Sequence, residues 1–110
     1  MTAASDALGD RLRPLLAKNS VVEKKMFGGL VFMFRGNMLI GTTSKGALLV
    51  RVGPDRTDDA LTRPGAYRMH MGERVMVGYI AVDPEALPDD AALNGWIDYA
   101  MTYAKTLPPK

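Results

Sequence analysis

No cysteine occurs anywhere in the 110 residues. That removes disulfides, thiolate metal sites and cysteine nucleophiles together, and it fits a reducing compartment, so the cytoplasm is the expected location. Long apolar runs are missing too: the longest, residues 30–34, is about a quarter of the roughly 20 residues that cross a bilayer, and no membrane partner is expected. Residues 1–10 carry neither a basic segment nor an apolar one, which is not the pattern of a signal peptide. The one histidine, His70, has no second imidazole to share a zinc ion with. An excess of one charge is lacking as well. The 14 basic and 12 acidic side chains alternate along the chain and leave a net charge of +2, so electrostatics alone do not call for nucleic acid.

What is present is an ordinary globular composition, 47% hydrophobic and 24% charged, in a length that allows one core and leaves little room for a second. Residues 1–110 are therefore read as one domain. Ser5 is expected to cap a first helix whose Leu8, Leu12, Leu15 and Leu16 recur at helical spacing, with Pro14 bending it or restarting it as a short final turn that Asn19 and Ser20 end. From Val21 the period drops to two. Residues 22–26 and 30–34 alternate as strands, Gly36 and Asn37 form a two-residue turn into 38–43, and 44–46 turn the chain into 47–52.

Gly53 and Pro54 suit the cap and first position of a short helix to about Leu61, with Asp55, Asp58 and Asp59 near its positive end. Strands over 67–71 and 75–82 follow, joined by a turn at 72–74. Asp89 can cap a last helix whose Leu93, Trp96, Ile97, Ala100, Met101 and Ala104 form one apolar stripe. The order α-βββ-α-ββ-α contains no crossover helix inside the meander. The expected class is α+β, an antiparallel sheet of about five strands with the terminal helices on one face.

Lys25-Met26-Phe27-Gly28-Gly29-Leu30, then Leu49 to Pro54 reading Leu-Val-Arg-Val-Gly-Pro, then Gly72, Met76, Gly78 and Tyr79, then Trp96 and the closing Thr106-Leu107-Pro108-Pro109 together resemble the N-terminal domain of the TfoX/Sxy competence regulators. The resemblance covers residues 8–110. It implies a fold like that of the type III secretion chaperones and a part in regulation. In the family's best-known members a helical C-terminal domain follows and the whole acts in transcriptional control of DNA-uptake competence; this sequence stops before such a domain.

No catalytic constellation is visible. The acids gather at helix starts, where capping accounts for them, and Ser44 beside Lys45 has no nucleophile elbow around it. No catalytic residue, metal or cofactor is assigned. Lys25, Phe27, Gly28, Gly29 and Arg51 are the candidate ligand or partner contacts. Paired glycines let backbone N–H groups approach an anion, though glycines in this setting also serve bulges and bends. Arg51 stands in an otherwise apolar strand just before a helix and can clamp a carboxylate or phosphate. Met69, His70 and Met71 suggest a soft-metal site on paper, but strand alternation sends 70 to the face opposite 69 and 71.

The expected function is a non-enzymatic regulatory or adaptor domain acting through protein contacts. A homodimer is expected because open sheets have edges that need covering. The alternative is a nucleic-acid-binding module using a basic N-terminal face of Arg11, Arg13, Lys18, Lys24 and Lys25.

Overall fold

The computed structural model describes residues 3–26 and 28–109. The chain runs α1 (Ala3–Leu16), a 3₁₀ turn (Ala17–Asn19), β1 (Val21–Met26), β2 (Gly29–Phe34), β3 (Asn37–Thr42), β4 (Leu48–Arg51), a 3₁₀ turn (Pro54–Arg56) leading into α2 (Thr57–Ala60), β5 (Ala66–Met71), β6 (Arg74–Val82), a 3₁₀ turn (Pro84–Ala86) and α3 (Asp90–Ala104). The class is α+β as expected, but the sheet has six strands in the order β1-β2-β3-β4-β6-β5 instead of about five. The extra strand arises because residues 21–26 and 29–34 fold back on each other as a regular antiparallel pair, from Val21 opposite Phe34 to Met26 opposite Gly29.

Two local expectations shift. Ser5 does not cap α1: the helix already begins at Ala3, and the Ser5 side chain is fully buried with its hydroxyl 2.7 Å from that of Thr42. α1 runs two residues past Pro14 and tightens into the 3₁₀ turn that ends at Asn19 with Ser20 as its cap, the short final turn expected there. The β2–β3 turn is Arg35–Gly36, both at positive φ (53° and 82°), as a two-residue primed hairpin requires. Asn37 is already in β3, where it is buried and its Nδ2 donates to the Pro108 carbonyl at 3.0 Å, tying the tail to this turn. Asp89 caps α3 as expected, its Oδ1 accepting from Ala92 N at 3.0 Å.

α1 and α3 lie together on one face of the sheet. Alternation sends Phe32, Phe34, Ile40, Leu48, Val50, Ile80 and Val82 to that side, where they join Leu8, Leu12, Leu16, Leu93, Trp96, Ile97 and Ala100 in the main core. A bulge inserts Leu39 between the pairs Phe32–Ile40 and Met33–Met38, so Leu39 joins the helix-side core and Met38 turns to the other side.

The opposite face carries a second, smaller cluster. Val31, Met38 and Leu49 are buried there, with Met33, Met69 and Tyr79 packed around them, and none of these residues belongs to a helix. β2 is thus apolar at both parities although only one of its faces has a helical cover.

Candidate functional site

The helix-free face is built by registers that align one side chain from each strand. One row runs Lys24, Val31, Gly41, Leu49, Ala81 and Tyr67 across the sheet. Val31, Leu49 and Ala81 are fully buried at its centre, while Tyr67 at one end is 46% exposed and Lys24 at the other is exposed. A neighbouring row contains Val22, Met33 and Met38 on one side and Arg51 paired with Tyr79 on the other. Val22 (59%) and Val77 (74%) extend the apolar surface to solvent. The result is an open platform with a dry centre and a rim of methionine, valine and tyrosine. Thioether side chains are unbranched and polarisable, which suits them to surfaces that adapt to a partner.

Its charge is one-sided. The described strands contain Lys24, Lys25, Arg51, Arg68 and Arg74 but one acid, Glu23. Glu23 stands opposite Phe32 and turns to the helix side, where its carboxylate takes Arg13 Nε at 2.6 Å and a second donor at 3.1 Å. Arg13 also pairs with Asp10. The Arg13 guanidinium holds the Glu23 carboxyl below its ordinary range, and Glu23 in turn raises the guanidinium's pKa. The weak overall charge of +2 therefore hides a basic sheet and acidic helices and turns.

The candidate contacts read from the sequence do not converge. Lys25 stands opposite Leu30 on the helix side of β1, away from Lys24 on the open side. Of the basic N-terminal residues, Arg13 is thus compensated by Glu23 and Asp10, and Lys24 and Lys25 stand on opposite faces. Phe27 lies outside the described residues. Gly28 (φ 75°) turns the chain between β1 and β2 beside Ser44, and Gly29 opens β2 against the end of β3.

Arg51 is at the far end of the sheet from these glycines. It is half-buried, with its guanidinium carbon 5.6 Å from the ring centres of both Tyr79 and Tyr103. Among the described residues no carboxylate stands within ion-pair distance of it. Two aromatic faces thus hold a cation whose donors remain open to an anion. His70 has its Nδ1 3.3 Å from the Arg68 carbonyl; a carbonyl only accepts, so Nδ1 carries the proton. No group of three or more histidine, aspartate or glutamate side chains able to hold a metal is present among the described residues.

Arg56, Asp59, Arg63, Trp96 and Tyr99 form the densest polar and aromatic cluster, and its geometry is that of a clasp between α2 and α3. Tyr99 donates its hydroxyl to Asp59 Oδ2 at 2.6 Å, Arg56 lies 3.8 Å over its ring, and Arg63 covers both Tyr99 and Trp96. Burial, then the bond to Asp59, raises the Tyr99 pKa. The folded state therefore holds the phenol proton more tightly than the unfolded chain does. This contribution is complete below pH about 10 and is lost as pH rises through the folded-state value. Urea unfolding between pH 9 and about 11.5 is expected to show stability falling with pH, and Tyr99→Phe should flatten that fall. A residual slope belongs to Tyr67, raised by its own burial; an unchanged slope in the variant would refute the assignment to Tyr99.

The sequence signal for the open platform lies in β2, whose run Leu-Val-Phe-Met-Phe is apolar on both faces. Met33, Lys45, Tyr67, Arg68 and Tyr79 gain their places only through the register of the six strands. No helix is long and apolar enough to cross a membrane among the described residues. No curated protein and no solved structure matches the chain. The profile of the TfoX N-terminal domain matches residues 11–104, from inside α1 to the last residue of α3, so the match spans the end of α1, the whole sheet and all of α3. The chain belongs to the TfoX N-terminal domain family.

Proposed function

We propose that the domain is a non-enzymatic regulatory adaptor that binds a protein partner across the helix-free face of its sheet. The observation that carries this is the platform itself. It has a dry apolar centre, a methionine-rich rim, Lys24 and Arg51 as its charges, and no acid from any described strand. Such a surface fits a segment that presents apolar side chains flanked by carboxylates. Membership of the family supports a regulatory role of the competence type. Apart from Arg51 and Lys24 on the platform, the polar side chains described above mostly cap helices, clasp elements or pair with one another, which supports docking over bond breaking.

The test is affinity capture from lysate of the native cell with the wild-type chain and with Met33→Glu, followed by binding measurements on the captured protein. Met33 is half-buried at the platform's edge, so the variant keeps its circular dichroism spectrum while the partner's affinity falls at least about tenfold, some 1.4 kcal/mol. Equal capture by both chains would defeat the reading. A dimer in light scattering that Met33→Glu dissolves identifies the partner as a second copy. Binding to duplex DNA that weakens steeply between about 50 and 200 mM salt would replace the reading with the nucleic-acid one.

A further inference from the structure

The sheet ends on one side at β1, whose one strand neighbour among the described residues is β2. The pairing of the two runs without a shift from Val21 to Met26, so β1 is a regular strand with one backbone edge unpaired, and five of its six residues are exposed. Bulges, prolines and charged side chains are the usual guards of such an edge. β1 has neither a bulge nor a proline. Its guards are Lys24 and Lys25, and their places in the strand decide what the edge can take.

Alternation puts Val22, Lys24 and Met26 on the open face with Met33 and Val31, and Glu23 and Lys25 on the helix side, opposite Phe32 and Leu30. A second copy of the strand, brought alongside by a two-fold axis perpendicular to the sheet, runs antiparallel and keeps each face on its own side. Opposed residues must then both be even-numbered or both odd-numbered. Two such registers oppose five residues of each strand. Centred on Glu23, the axis sets Glu23 against its own copy, Val22 against Lys24 and Val21 against Lys25. Centred on Lys24, it sets Val22 against Met26 on the open face and Glu23 against Lys25 on the helix side, each pair occurring twice by symmetry.

The Lys24 register is the self-complementary one. Directly opposed apolar pairs and opposite charges stabilise an antiparallel ladder, and its single like-charged pair is Lys24 with its copy at the axis. The Glu23 carboxylate already takes Arg13 at both oxygens. A carboxylate has about four acceptor positions, so it can take the Lys25 ammonium of the second copy as well. The opposite edge offers no such match. Symmetric registers centred on Arg68 or Met69 of β5 oppose Arg68 to its own copy or to His70, and the β5 ladder is irregular there.

We propose that β1 pairs antiparallel with β1 of a second copy about a two-fold axis at Lys24, joining the two sheets into one with all the covering helices on the same side. Lys24 tunes the assembly, because the like-charged pair at the axis limits its strength. The proposal stands apart from the docking reading: it uses a backbone edge and leaves the helix-free face open, continuous from one copy to the next.

The chain has no cysteine, so single introduced cysteines report the register without background. In a glutathione redox buffer, Lys24→Cys is expected to form a disulfide-linked dimer, since residues opposed at the axis lie within the Cα separation of about 4.4–6.8 Å that a disulfide spans. Val22→Cys and Met26→Cys each lie about 13 Å from their own copies, so each stays monomeric alone while a mixture of the two cross-links. Lys25→Glu, at an exposed position, turns both ion pairs into repulsion and should weaken the non-covalent dimer at least about tenfold in sedimentation, whereas Lys24→Thr should tighten it about threefold. A wild-type chain still monomeric at about 500 μM would overturn the proposal. So would the absence of a Lys24→Cys cross-link, Val22→Cys cross-linking to itself as readily, or a dimer unmoved by Lys25→Glu. A dimer that Met33→Glu dissolves and Lys25→Glu does not would belong to the open face and would also defeat the edge pairing, so failure of one reading is distinguishable from failure of the other.

Discussion

Replacing Gly29 by alanine is expected to destabilise the fold by about 3 kcal/mol or more, the upper range for overpacking, and to lower the thermal midpoint by about 12 °C. A Cβ at this position would lie 2.2 Å from the carbonyl oxygen of Thr42 and 2.7 Å from its hydroxyl. Thr42 cannot withdraw. It is fully buried, its Oγ1 accepts from Leu30 N at 2.9 Å, and the same oxygen is 2.7 Å from the Ser5 hydroxyl. Relief therefore spreads β2 from β3 and strips α1 of its polar anchor together. The backbone of Gly29 is outside the positive-φ region, so the effect is steric.

Gly72→Ala is the control: φ there is 64° and nothing lies within 4 Å of a Cβ, so its cost is the conformational one alone, about 1 kcal/mol. Thermal and urea unfolding of the two variants decide the matter. A loss below about 1 kcal/mol for Gly29→Ala would show that the strands part easily and would return Gly29 to the ligand-loop reading.

Phe32→Ala is expected to cost about 4 kcal/mol, enough to leave a domain of this size marginal. Phe32 is 2% exposed and heads the largest fully buried side chains, at the centre of the core that α1 and α3 share with the sheet. Its neighbour gives the contrast. Met33 points to the open face, is half-buried, and on truncation to alanine should cost about 1 kcal/mol or less. Adjacent residues with a difference of about 3 kcal/mol would mark one face as what folds the chain and the other as what the chain presents. Similar losses at both would mean that the second cluster is a true core and the platform is not free to serve a partner. Urea midpoints measured at unchanged m-value give the comparison directly.

Much of this architecture was legible before any coordinates. The α3 stripe and its Asp89 cap repeat at the period of a helix over four turns, and a signal that long survives tertiary context. Gly53 and Pro54 located the short helix because the glycine's φ of 89° and the proline's fixed φ are properties of those residues alone. The β2–β3 turn falls one residue earlier than the sequence pattern predicts because Arg35, a residue with no general preference for positive φ, takes the place for which Asn37 is better suited.

The platform was less legible. Period-two alternation says that Val31 and Met33 share a face, but not which face the helices cover, and in β2 both faces are apolar. The separation of Lys24 from Lys25 follows from alternation alone, whereas the pairing of Arg13 with Glu23 depends on how α1 crosses β1. The irregularity in β6, where Ile80 pairs with Arg68 and Val75 with His70, has no mark in the residues themselves, since it belongs to the pairing of β5 with β6.

The strand order also governs how the chain finds this state. β1 to β4 and the β5–β6 pair are all sequential hairpins, each closed by a loop of a few residues, so their contacts form at small entropic cost and early. One pairing is different: Leu48–Arg51 meets Tyr79–Val82 across the whole of α2 and β5. Closing this seam carries the largest loop-closure entropy of any pairing in the sheet.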